Sequence, residues 1–470
     1  MKGKNTPEKT KNVEKAREEQ KMGEKTIEKN AITEGVIWKQ LLIFFFPIML
    51  GTLIQQLYTT VDTIIVGRFV GKAALASVGG PAAVLSTIVV TFFNGLANGA
   101  AVIIAQYYGA KDRKSLHVGL HTAYLFSIVI SLIVSLVGTV LTPWLLTIMN
   151  TPQDMMADST IYLRIYFMGI LFTLVYNMGA AIMRAVGDSR RPLLYLLVCC
   201  VMNIILDIVM VVGMKMGIAG AALATVISQC VSAILVTWSL TRAYDAMKLK
   251  FRELRMDARV LKKELKIGVP GALQACAYGV TNVVIQASVN SFGTDTAAGW
   301  AAYGKLDLIF WTVSSALGAA VTTFAGQNYG AGKMDRVYKS IRVNVVISYI
   351  FTGAIIVILF VFCEPLYHMF TTDPKVIEIG VYMLRFLIPS YLLSVLLENL
   401  SGGLRGLGDV FWPTVFTFGG LFFVIMILTK IHHEVEVLLI SYPLAWGGTL
   451  LCLIPYYFWR KKKRMKLAGR

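Results

Sequence analysis

The chain has 470 residues, 56% of them hydrophobic and only 15% charged, with a mean hydropathy of +0.64. A soluble domain carries about 25% charged residues, so the composition excludes a soluble globular protein. The formal charge of +18 does not point to nucleic acid either, because the lysines and arginines sit in short clusters between apolar segments.

In chain order, residues 1–35 come first, with 9 basic and 7 acidic residues and no apolar core. They read as a charged cytoplasmic tail, neither a signal peptide nor a folded domain. The following apolar segments are long enough to cross a hydrocarbon layer about 30 Å thick. They predict helices near 37–66, 73–106, 116–142, 157–185, 192–213 and 217–241. After a basic linker at 242–263, helices follow near 264–290, 297–326, 342–363, 377–404, 411–430 and 436–459, and a basic tail ends the chain at 460–470. No strand alternation is sustained, so the spans are read as about twelve transmembrane helices in an all-α integral membrane protein. With both termini cytoplasmic, 37 of the 45 lysines and arginines lie on the inner side, as the positive-inside rule requires. The run "WRKKKRMK" at 459–466 directly follows a span and is set against anionic lipid headgroups.

A repeat organises the chain. "AQYYGAKD" at 105–112 recurs as "GQNYGAGK" at 326–333, and "RAVGDSRRP" at 184–192 recurs as "RGLGDVFWP" at 405–413, both at an offset of 221. The halves are therefore related six-helix bundles, 36–241 and 264–459. An even helix number per half makes the repeat parallel, with its axis along the membrane normal. Arg184 and Arg405 fall at helix ends and are expected to cover the last carbonyls there, while Gly187 and Gly408 let the chain turn.

"FFFPIMLGTLIQQLYTTVDTIIVGRFVGKAALASVG", the paired "YGA" and "RxxGD" motifs and "NIILDIVMVVGMKMGIAGAALATVISQ" carry a resemblance. The chain resembles the multidrug and toxic compound extrusion (MATE) family over essentially everything after residue 36, and within it the bacterial branch related to DinF. The resemblance implies a V of two bundles around a central cavity, and a cell-membrane antiporter that exports organic cations or other amphipathic drugs in exchange for Na+ or H+.

The ionisable residues inside spans carry the functional expectations, since each costs about 2.5–3.5 kcal/mol on insertion scales. Asp62 lies on one helical stripe with Gln55 and Tyr58, and Asn203 and Asp207 share a face four residues apart. The resemblance maps a cation site onto Asp62, Asn203, Asp207 and Thr225. Gln55, Tyr58, Asn177 and Tyr162 are candidates for the substrate cavity, although Tyr162 and Asn177 stand about 22 Å apart along a straight helix and do not meet one small ligand together. The second half has Val283 and Leu428 at the positions of the two aspartates. It offers Asp307 and Glu398 as a second ionisable site, Glu398 being the repeat equivalent of Asn177. Pro47 inside the first span is a candidate hinge. No metal-binding motif and no paired nucleophile and base lie in the spans, so neither an enzyme nor a cofactor is expected, only the coupling cation. The expected partners are small amphipathic substrates and membrane lipid, with no nucleic acid, and the chain is read as a monomer. A flippase for lipid-linked precursors is the alternative on the same architecture, and it would need a more cationic cavity.

Overall fold

The computed structural model describes residues 31–243, 245–431 and 434–468; residues 1–30 of the charged tail lie outside the described residues. Among the described residues twelve long helices follow one another without a strand. The first half holds α1 (Ile37–Phe69), α2 (Lys72–Gly109), α3 (Arg113–Ile148), α4 (Gln153–Ala185), α5 (Arg190–Gly213) and α6 (Gly217–Thr241). The second holds α7 (Ala258–Ser291), α8 (Thr294–Gly330), α9 (Met334–Val361), α10 (Pro374–Gly406), α11 (Phe411–Ile431) and α12 (Val435–Ala468). Large apolar side chains stand exposed along the outer helices, such as Leu132, Ile133, Leu136 and Val140 on α3, as a lipid-facing surface requires.

Proline and glycine set the interruptions. α2 breaks at Gly80, whose torsions leave the helix (φ −98°, ψ −110°) just before Pro81, a residue with no N–H to donate. α10 tightens into a short turn, Ile388–Ser390, around Pro389. α5 widens into a π-type turn over Ile208–Gly213, immediately after Asp207.

Several helices run past the apolar stretches that announced them, because polar side chains fix their ends. α7 starts at Ala258, where Asp257 accepts the amide N–H groups of Arg259 (2.9 Å) and Val260 (3.1 Å). Those amides, Val260 first, hold the Asp257 carboxyl below the usual carboxylate range. α12 carries the basic tail on as helix to Ala468, and Asp409 ties it down by pairing with Arg460 and accepting the Tyr456 hydroxyl at 2.9 Å.

Each half lends its first helix to the other. In the early part of α1, Ile37, Leu41, Phe44 and Phe45 are buried with Val313, Leu317 and Phe324 of α8. Beyond Pro47 the same helix turns to α5, where a Cβ on Gly51 would meet Leu196 at 3.5 Å. α7 behaves alike. Its Gly268 and Ala272 lie against Gly95 and Gly99 of α2 so closely that a Cβ on Gly99 would sit 2.4 Å from the Gly268 backbone, while Ile285 and Val289 join the second-half core. Pro270 lies in α7 near the changeover, as Pro47 does in α1.

At the end that carries Ala31 and Ala468 the repeated motifs meet reciprocally. The Gln106 side-chain amide donates to the Gly406 carbonyl (2.9 Å), and that of Gln327 donates to the Ala185 carbonyl (2.6 Å). A Cβ on Gly109 would lie 1.9 Å from the Gln327 oxygen, and one on Gly330 the same distance from the Gln106 oxygen. The two halves are therefore sealed together here through backbone.

Candidate functional site

The site grows from polar residues that the apolar helices carry into the interior. α1 and α5 bring Asp62 and Asp207 together closely enough for their carboxyl groups to interact, and Asn203 stands one turn earlier on α5. Exposure is 8% for Asp62, 1% for Asn203 and 0% for Asp207. Among the described residues, Asp62 Oδ1, both oxygens of Asp207 and both polar atoms of Asn203 have no hydrogen-bond partner. Buried polar atoms are normally paired, so this cluster is arranged for something other than helix packing. Tyr162 of α4 lies within electrostatic reach of both aspartates, whereas Thr225 of α6 bonds the Ala221 carbonyl (3.1 Å) and lines the cavity next door.

That cavity, about 410 Å³, lies mainly among the helices of the first half, lined by Pro47, Gln55, Tyr58, Asn98, Asn177 and Arg184, with Ser315 and Ala319 of α8 on its side toward the second half. It continues into two chambers of about 190 and 200 Å³, both reached by Asn98, Glu398 and Arg405. Gln55, Tyr58 and Asn177 thus line one space, while Tyr162 stands apart beside the carboxylates.

The second half is built differently. Asp307 accepts the Tyr391 hydroxyl (2.5 Å) and the Trp311 indole N–H (2.8 Å), so both of its oxygens are engaged. Glu398 lies against Gly318, eleven residues and about 16 Å beyond Asp307 on α8, so Asp307 and Glu398 form two sites rather than one. Val283, at the repeat position of Asp62, is 61% exposed; the side chain of Leu428, at that of Asp207, lies outside the described residues.

The MatE family model matches residues 47–209 and 270–430, one segment in each half. The chain belongs to the MatE family. Its members are membrane transporters, and the present chain is a multi-pass membrane protein of that kind. It is 29% identical to the probable multidrug resistance protein YoeA of Bacillus subtilis, over 92% of this chain and 96% of the relative. It is 31% identical to the probable multidrug resistance protein YpnP of the same organism, over 83% and 89%. A solved MATE structure in the bent conformation superposes with a TM-score of 0.86 at 19% identity, covering 95% of this chain and 99% of that one. The V of two six-helix bundles is the architecture of this MatE chain.

One expectation changes on this fold. Arg184 and Arg405 do not cover helix-end carbonyls: among the described residues neither guanidinium donates a hydrogen bond, and both line the chamber of about 190 Å³. The ends are closed by backbone instead. Gly187 (φ +97°) and Gly408 (φ +78°) turn the chain so that Asp188 and Asp409 donate their amides back to the Met183 and Leu404 carbonyls. The sequence reading also passed over Asn94, Asn98, Gln229 and Gln274, all on cavity walls. Asn94 and Asn98 have the same four-residue spacing that singled out Asn203 and Asp207, and that signal would have found them.

Proposed function

We propose that this MatE chain exports amphipathic or cationic small molecules in exchange for entering Na+ or H+. The observation that carries the reading is the buried Asp62–Asp207 pair, with oxygens that no protein donor meets, beside a polar-walled cavity. Two carboxylates at this depth cost on the order of 5–7 kcal/mol on insertion scales, an expense that helix packing through asparagine or serine would avoid. A bound cation favours the ionised form and burial favours the neutral one, so the pair suits either a hard cation held by oxygen or a proton. The relatives named as multidrug resistance proteins support the substrate class.

The lysine and arginine asymmetry supports cytoplasmic termini, which makes the sealed end the inner one and directs the cavity outward. Ion capture at Asp62 acts on α1, whose early part, before Pro47, is packed on α8 of the second half, so bending at Pro47 changes the space between the halves. Alternating access is then rocking of the two halves, with a monomer in lipid as the functional unit.

The test is efflux of a fluorescent organic cation from proteoliposomes under a sodium or a proton gradient, with wild type beside Asp62→Asn. One gradient is expected to drive wild-type efflux, and the variant to fall at least about tenfold while inserting normally, a loss of about 1.4 kcal/mol of coupling. A variant that matches wild type removes the aspartate from the coupling step, and failure of both gradients in wild type removes the antiport reading.

A further inference from the structure

Beyond the aspartate pair, the cavity contains charges that cation export does not use. Arg184 and Arg405, equivalent positions in the repeat, both line the chamber of about 190 Å³ between the halves. Among the described residues, neither guanidinium pairs with a carboxylate within 4.0 Å or donates a hydrogen bond. The acids of their own motifs are committed elsewhere: Asp188 accepts the amides of Arg190 and Arg191 (both 3.1 Å) and pairs with the Arg191 side chain, and Asp409 pairs with Arg460. Two planar forks, each with five donors, are left lining one chamber.

Glu398 lies in the same chamber, seven residues and about 10 Å before Arg405 on α10, and among the described residues it accepts no hydrogen bond. Gly318 makes room for it, since a Cβ there would lie 2.7 Å from Glu398 Oε1. At the corresponding place in the first half stands Asn177, so Arg184 has no acidic counterpart on its helix.

We propose that Arg184 and Arg405 form an oxyanion site, which holds the carboxylate or phosphate of an amphipathic molecule whose cationic group lies toward Glu398. The charges are complementary to a zwitterion: two guanidiniums for the anion and one carboxylate for the cation. The assignment of this molecule as a transported substrate rests on the export reading above.

The probes are tetramethylrhodamine, which carries a free carboxylate, and its methyl ester, which has the same ring system and cation without the anion. Binding is followed by fluorescence anisotropy to the full chain in phosphatidylcholine nanodiscs. Wild type is expected to bind the acid at least about tenfold more tightly than the ester, the gain of one charge-assisted contact. Arg184→Gln and Arg405→Gln should bring the ratio near unity, and Arg184→Lys should restore part of it. In wild type alone, excess benzoate should remove the preference for the acid, a result that needs no variant to fold. Adding phosphatidylglycerol separates the sources of the anion: a preference that survives assigns the site to the transported molecule, and one that is lost assigns it to a lipid headgroup. Wild type binding the ester as tightly as the acid overturns the site and leaves export standing, as does a ratio unchanged in folded Arg→Gln variants. Binding of neither dye overturns the export reading and the oxyanion site with it.

Discussion

Two aspartates show what decides the role of a buried charge. Asp207 is fully buried with both oxygens unpartnered, whereas Asp307 has each oxygen occupied, by the Tyr391 hydroxyl and the Trp311 indole. A carboxylate already satisfied by fixed donors has little left to offer an ion. Asp307→Asn is therefore expected to keep gradient-driven efflux within about twofold of wild type. It should lower thermal stability by about 1–3 kcal/mol, because the new amide turns a donor toward a donor. Efflux and melting of the variant check both halves of the statement, and loss of efflux with unchanged melting would place Asp307 in the coupling step. At this scale the sequence was readable wherever a charge interrupted an apolar run, which is how Asp62 and Asp207 stood out. It was silent on satisfaction, because the partners of Asp307 lie on α8 and α10, 4 and 84 residues away. The two arginines were misread for a related reason: a basic residue at a helix end has a local use, and only the packed halves show that a cavity opens beside it.

At the scale of the element, hydropathy revealed all twelve helices but not their neighbours. Helix ends drifted because hydropathy reports the lipid-crossing part alone, while caps such as Asp257 and ties such as Asp409 extend α7 and α12 into the charged segments. The exchange of α1 and α7 between halves was not legible, since an apolar face fits any apolar partner and only shape selects among them. Glycine carries that selection at the α2–α7 crossing. A Cβ on Gly99 would come within 2.4 Å of the Gly268 Cα and N, with no flexible side chain able to yield. Gly99→Ala is expected to force the helices apart at a cost of about 1–3 kcal/mol, in the range of other overpacked sites. The measurement is thermal unfolding in detergent beside Gly271→Ala, a glycine of α7 with nothing within 4 Å of its ideal Cβ. Equal melting of the two variants would mean that the crossing is not close-packed.

For the whole molecule, the repeat announced two halves with matching motifs, and the structure adds that each motif completes itself on the other half. Gln106 caps the end of α10 at Gly406, and Gln327 caps the end of α4 at Ala185, so the seal at this end of the molecule is one contact made twice around a pseudo-two-fold axis. Such a seal opens as a unit, because breaking one copy shifts the backbone that forms the other. Gly109 and Gly330 are its tightest points, each with only 1.9 Å between an added Cβ and the opposing carbonyl oxygen. Alanine at either position cannot coexist with the closed seal, whereas the opposite state, with this end apart, has no such clash. Gly109→Ala, Gly330→Ala and their combination are therefore expected to move the population toward separation at this end. Spin labels at residues 114 and 335, exposed and equivalent in the repeat, report it. Their distance distribution should shift outward by several ångströms in either single variant, with little further change in the double, since one clash already prevents closure. An unchanged distribution would mean that the backbone contact is compliant and that the conformational equilibrium is set elsewhere, at the ion site or by the substrate in the cavity.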